Sequence, residues 1–226
     1  EFLDRVKQCK ERMQKKGLDV LYVADPANMH YLTGYDAWSF YVPQIMLVQH
    51  NAEPIWMGRK MDSGAVALTT YLKPESVMPY GEEFVQCNGI HPMDIVAGFL
   101  HDLGLNGKRI GYESDTYYFS PKAFDCLKSG VPEAKWVDAD LMVNWARVIK
   151  SDAEIAMMRN SARLVEGAMQ TAYENIAPGV RQCDLMAKIV AAQVGGNPSF
   201  AGDLTALSPL ILAGEAASTA HPMWTD

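Results

Sequence analysis

Short apolar runs alternate with amphipathic stretches of about ten residues through the first part of the chain, and this alternation limits the possible folds more than any single motif does. Residues 1–16 set Phe2, Val6, Cys9 and Met13 at helical spacing, with Arg5, Lys7, Lys10, Glu11 and Lys15 between them, and Gly17 ends the helix. Residues 19–24 read as a buried strand closed by Asp25-Pro26. Residues 43–49 and 54–58 read as two strands joined by the turn His50-Asn51-Ala52-Glu53. A short helix over 60–69 and a short strand over 76–79 follow. His91-Pro92 opens a helix carrying Ile95, Val96, Phe99, Leu100 and Leu103, and residues 109–113 form the next strand. Ser120-Pro121 supplies a hydroxyl cap and a first-turn proline for a helix running to about Lys128. A last short strand is expected at 135–137. This order predicts a layered α/β domain with a mainly parallel or mixed sheet.

The pattern changes near residue 150. Ser151 followed by Glu154 makes a capping box for a long helix whose apolar stripe is Ile155, Met158, Ala162, Val165 and Met169. A second helix over 181–194 carries Leu185, Ile189 and Val190. A strand is expected at 207–213 and a loop from Gly214 onward. Two domains therefore follow, residues 1–148 and 149–226. The second has too few elements to cover its own apolar faces, so it is expected to be incomplete and to expose them.

The bulk composition supports a folded chain. Of 226 residues, 49% are hydrophobic and 21% charged, enough for a real core and unlike a disordered segment. The formal net charge of -7 argues against a nucleic-acid partner and against electrostatic membrane anchoring. With no long apolar run and no signal peptide visible, a cytoplasmic location is expected. Cys9, Cys87, Cys126 and Cys183 are too scattered for a zinc finger and read as buried, reduced thiols.

Two histidines stand out for chemistry. His221 lies in a small-residue loop, Gly214 to Pro222, after the expected strand. Such a loop can present an imidazole as a general acid or base, or merely carry a surface histidine. His30 lies in a loop before the aromatic cluster Tyr35, Trp38, Phe40 and Tyr41, which could wall a small pocket or pack at an interface. His91 reads as a helix cap, and His101 as solvent-facing beside Asp102. No residues show metal-ligand spacing, no glycine-rich phosphate loop opens a helix, and Ser218 lacks a nucleophile-elbow context.

Several segments resemble the creatinase/prolidase/aminopeptidase P superfamily. They are Leu18 to Gly34, with its Pro26-Ala27-Asn28 turn and Tyr31-Leu32-Thr33-Gly34; Arg147 to Ile155 with Met158-Arg159; Ile176-Ala177-Pro178-Gly179-Val180; and the stretch ending at His221. The resemblance implies a three-layer amino-terminal domain of ribonuclease H-like topology, then the start of an α+β pita-bread catalytic domain. It also implies a homodimer in which the amino-terminal domain of one subunit caps its partner's cleft. It makes His221 the candidate catalytic residue, and Trp38, Phe40 and Tyr41 the candidate substrate-binding or lid residues. The superfamily's metalloenzymes hold a divalent metal pair through ligands that follow the position of His221. No metal ligand and no cofactor is therefore assigned within this chain, and the chain alone is expected to be inactive. Residues 25–44 and 210–226 are most similar to the ectoine hydrolase branch. That branch implies ring-opening hydrolysis of a small cyclic amidine to N-acetyl-diaminobutyrate. The alternatives are a metal-dependent Xaa-Pro peptidase and a non-catalytic binding module of the same fold.

Overall fold

A computed structural model of the chain describes residues 1–203, 207 and 209–222. These fall into two compact units, Glu1–Ile149 and Lys150–Asp226.

The first unit is built on a six-stranded mixed sheet. Its strands are β1 (Val20–Val23), β2 (Ile45–Gln49), β3 (Ile55–Arg59), β4 (Val77–Tyr80), β5 (Arg109–Tyr112) and β6 (Lys135–Asp138), in the spatial order β4-β3-β2-β1-β5-β6. β1, β2 and β3 form an antiparallel meander, while β4 joins β3, and β5 and β6 extend from β1, in parallel. The expected turn at residues 50–53 closes the β2–β3 hairpin. Parallel additions need crossovers, and helices supply them: α4 (Pro92–Asp102) lies between β4 and β5, and α5 (Pro121–Gly130) between β5 and β6. β4 is an edge strand and carries Pro79, which an interior strand could not accept.

Both sheet faces are covered, so β1 reads as an unbroken apolar run rather than an alternating one. Val20 and Tyr22 face one core with Leu47, Met57, Met93, Val96 and Leu127, which brings in α4 and α5. Leu21 and Val23 face the other core with Met46, Trp56 and residues of α1 (Phe2–Lys15), α2 (Pro26–Thr33), α3 (Ser63–Thr69) and α6 (Met142–Ala146). The result is three layers. In α1 the buried stripe is Val6, Cys9 and Met13, and Gly17 takes a φ of 65° where the helix ends.

Two helices depart from the sequence expectation. The residues after β1, read as a loop around His30, form α2. Asp25 does not end structure there; its carboxylate caps the new helix by accepting from the backbone N–H of Ala27 and Asn28 at 2.8 and 3.2 Å, with Pro26 in the first turn. α6 is a five-residue helix, too short to leave a period. The thiols differ as well. Cys9 and Cys126 are buried, but Cys87 is exposed and Cys183 half-buried, and none of the four is in a disulfide. Burial pushes the Cys9 thiol up to about 12.

The second unit contains α7 (Asp152–Asn175) and α8 (Gln182–Gly195). Ser151 and Glu154 form the expected capping box, with Ser151 Oγ accepting from Glu154 N and the Glu154 carboxylate accepting from Ser151 N at 2.8 Å. The small core between the helices holds Ala168, Leu185 and Ile189. Of the expected stripe on α7, Ile155, Met158, Val165 and Met169 are exposed, and Ala168 on another face is the buried position. The strand expected at 207–213 is absent among the described residues of that stretch, which are irregular. Among the described residues no helix is long and apolar enough to cross a membrane.

Close packing at the sheet centre gives a test. A Cβ on Gly111 of β5 would sit 2.5 Å from Leu18 Cδ1 and 3.3 Å from Leu21 Cδ1, both in buried residues. Gly111→Ala is expected to destabilise the chain by about 1–3 kcal/mol in urea unfolding, since the buried Leu18 and Leu21 side chains must shift to admit the methyl group.

Candidate functional site

The clearest concavity among the described residues lies in the first unit, where the chain leaves β1 and enters β2. It is a cleft of about 310 Å³. Ala24 and Pro26 follow β1, and Pro43 and Gln44 precede β2. His91 and Pro92 begin α4, and Ser120 precedes α5. Phe40, Tyr41, Tyr117 and Tyr118 contribute aromatic walls.

The segment from Trp38 to Tyr41 runs along the rim and is fastened near both ends. Trp38 Nε1 donates to Tyr118 Oη at 3.0 Å, and Arg59 donates to Tyr41 Oη at 3.1 Å. Arg59 is itself held by Asp62 at 2.8 Å and lies 5.7 Å from the centre of the Tyr41 ring. Within the segment, the Trp38 and Phe40 rings are 5.5 Å apart and the Phe40 and Tyr41 rings 5.2 Å apart. Trp38, Phe40 and Tyr41 remain 59%, 72% and 45% exposed, an unusual investment of aromatic surface in solvent. Tyr35, read with them as one cluster, is buried instead against Trp56.

His91 shapes one wall of the cleft. Its Nδ1 accepts from Met93 N at 3.1 Å, while the Asp94 carboxylate accepts from His91 N at 2.8 Å. Burial holds the His91 imidazole below its usual pKa, which suits a ring that must stay neutral to accept. The other histidines fall elsewhere. His221 is exposed, with a φ of 66°, in the second unit beyond the 3-10 turn Gly214–Ser218. His30 sits exposed on α2, edge-on to Phe2. His50 bonds the carbonyl of Leu18 at 2.8 Å, and His101 lies exposed 3.7 Å from Asp102. Among the described residues no group of three or more His, Cys, Asp and Glu could hold a metal ion.

The sequence reading missed a buried polar network. Asn28 on α2 is fully buried; its Nδ2 donates to Glu113 Oε2 at 2.9 Å and to Asn144 Oδ1 at 2.6 Å. Its Oδ1 accepts from Arg147 at 2.7 Å. The other oxygen of Glu113 accepts from Val143 N at 3.0 Å. Burial raises the Glu113 carboxyl above its usual value, against the lowering effect of these donors.

The Creatinase/Prolidase N-terminal domain family matches residues 5–149. The chain belongs to the creatinase/prolidase family. It is 38% identical to the ectoine hydrolase of Halomonas elongata, over 100% of this chain and 58% of that protein. It is 41% identical to an uncharacterized hydrolase/peptidase of Sinorhizobium fredii, again over 100% of this chain and 58% of the relative. The chain thus spans little more than half the length of these relatives. Its fold is shared with the prolidase of Thermococcus sibiricus, at a TM-score of 0.80 and 15% identity over 100% of this chain and 57% of that one. It is shared also with the prolidase of Pyrococcus horikoshii, at 0.73 and 18% over 99% and 56%.

Asn28→Ala removes both donors to the network and the acceptor of Arg147. A loss of ~2–4 kcal/mol is expected in chemical denaturation. Glu113 gives a pH signature. A carboxyl whose pKa is raised by folding contributes most below the ordinary glutamate range, and that contribution is lost as pH rises through the raised folded value. Glu113→Gln is expected to flatten that part of the stability–pH curve, measured as the urea midpoint across the acid range.

Proposed function

We propose that the full-length protein is a hydrolase of carbon–nitrogen bonds in small nitrogen compounds. On this reading residues 1–148 are its creatinase-type N-terminal domain, and residues 149–226 are the first part of its pita-bread catalytic domain. The observation that carries the reading is the extent of the likeness. The family match ends at residue 149, yet the similarity to the two hydrolases runs through the rest of the chain. The exposed Ile155, Met158, Val165 and Met169 on α7 support the same view, as a face that further elements of the domain cover. The order β3-β2-β1-β5-β6, with an antiparallel meander followed by parallel strands, supports a ribonuclease H-like topology for the first domain.

His221 is proposed to orient water or to donate a proton to the leaving nitrogen, which an imidazole can do near neutral pH. Trp38, Phe40 and Tyr41 are proposed as a lid or substrate-binding surface in a cytoplasmic homodimer, in keeping with their exposure. On substrate, two readings differ. Cleavage of Xaa-Pro peptides draws support from a hydrolase/peptidase at 41% identity and an Xaa-Pro dipeptidase of Pyrococcus horikoshii at 24%. Ring opening of ectoine draws on the ectoine hydrolase of Halomonas elongata, at 38% identity.

Assays of the full-length protein on ectoine and on an Xaa-Pro dipeptide, each before and after chelation, separate them. Metal-dependent peptide cleavage supports the peptidase, and chelator-resistant ring opening supports the amidine hydrolase. Turnover of neither sinks the hydrolase reading. With whichever substrate is turned over, His221→Ala is expected to lower kcat about 10²–10⁴-fold. Undiminished kcat would remove His221 from the chemistry.

A further inference from the structure

Two Asn-Gly pairs lie in connections of the first unit, and the fold treats them differently. In an Asn-Gly pair the side-chain amide is open to attack by the next backbone nitrogen, because glycine has no side chain to block the approach. Asn106-Gly107 lies between α4 and β5, in a turn that is fixed on both sides. Leu105 N donates to Leu100 O at 3.0 Å, Lys108 N to Leu105 O at 3.1 Å, and Lys135 N to Lys108 O at 2.8 Å. Asn106 is also half-buried. Asn88-Gly89 lies between β4 and α4 and has none of this support. Both of its residues are exposed, and neither makes a hydrogen bond among the described residues. Gly89 takes a φ of 98°, and a Cβ there would meet nothing within 4 Å. The bond across this pair comes from the Cys87 thiol, a weak donor, to Ile90 O at 3.1 Å.

We propose that Asn88 is a site of spontaneous covalent modification that the fold leaves open, where a side-chain amide is exchanged for a carboxylate at the edge of the cleft. Gly89 N attacks Asn88 Cγ. An N–C bond forms and closes a five-membered imide, the Cγ–Nδ2 bond breaks, and ammonia leaves with the proton that Gly89 gave up. One water, which an exposed connection supplies, then adds to either imide carbonyl. Opening on one side leaves aspartate. Opening on the other leaves isoaspartate, whose main chain runs through the side-chain carbon. The consequence is local. Cys87 and Ile90, on either side of the pair, line the cleft, and no lining residue is Asp or Glu. The product adds a carboxylate there to a chain whose formal net charge is already -7. Isoaspartate also lengthens the backbone between the thiol and the carbonyl that bond across the pair. The chemistry is contained in residues 87–90 and does not depend on the hydrolase reading.

The test holds the folded 226-residue chain at physiological temperature and mildly alkaline pH and maps its peptides by mass spectrometry over time. The same reaction in urea gives the rate of each pair without the fold, and dividing by it removes the effect of neighbouring residues. After that correction the Asn88 peptide is expected to gain about one mass unit at least about fivefold faster than the Asn106 peptide, whose turn must open before it reacts. Part of the product is expected as isoaspartate, identified by its fragmentation. Asn88→Gln, at an exposed position, is expected to abolish the gain in that peptide and leave Asn106 unchanged, because the longer side chain closes an imide far less readily. A smaller corrected ratio overturns the proposal. So does an Asn88 that stays intact in the folded chain while it reacts in urea, or a mass gain in that peptide that persists in Asn88→Gln. Because the readout is covalent mass, an absence of turnover in the full-length protein leaves this result standing.

Discussion

Everything on the α1 side of the sheet is organised around a carboxylate that has been taken out of water. Glu113 follows β5 and is 2% exposed. A charge in that position is strongly unfavourable unless both oxygens find donors, and here both do, from Asn28 and from the backbone of Val143. That requirement fixes where α2 and α6 must lie. Asn28 can serve Glu113 only if its own carbonyl is satisfied, and Arg147 does this at 2.7 Å. The network has every member bonded, so it favours one arrangement of these elements over near alternatives.

The meander and its parallel extensions then decide where a cleft can form. β1 has an antiparallel neighbour on one side and a parallel one on the other. Past its end, the chain going into α2, the chain arriving at β2, and the starts of two crossover helices converge on one region. Neighbouring connections there diverge to opposite sides, which leaves a gap that side chains line but do not fill. The Trp38–Tyr41 segment is the long connection across that gap, and it is held by side-chain bonds to Tyr118 and Arg59 rather than by a ladder.

Much of this was legible in the sequence, for reasons that also mark where legibility ends. The strands of the first unit and helices α1, α4 and α5 came from apolar runs and capping residues, which act over a few positions. Asp25-Pro26 was ambiguous by the same local logic, since an acidic residue before proline both closes a strand and opens a helix. The α7 stripe shows a different limit. Periodicity announces which face is apolar, but in this unit that face is exposed. The strand expected at 207–213 rested on apolar content alone, and no neighbouring strand pairs with it among the described residues. Of the candidate site, the aromatic segment was visible as composition. Its latches to Tyr118 and Arg59, and the network from Asn28 to Glu113, Asn144 and Arg147, join residues 18 to 119 positions apart, so no local pattern carries them.

Pro79 has an effect beyond the strand that carries it. The exposed border of a sheet is a template on which another chain can lay down a strand of its own, and proteins with long apolar strands must guard it. At the β4 border this chain presents four residues, one of which has no N–H to offer. The opposite border, β6, begins with Lys135 and ends with Asp138, so a second copy sliding alongside would have to match charges as well as hydrogen bonds. Fibril-like growth through the sheet is thereby discouraged at both ends, and self-association is steered toward side-chain surfaces.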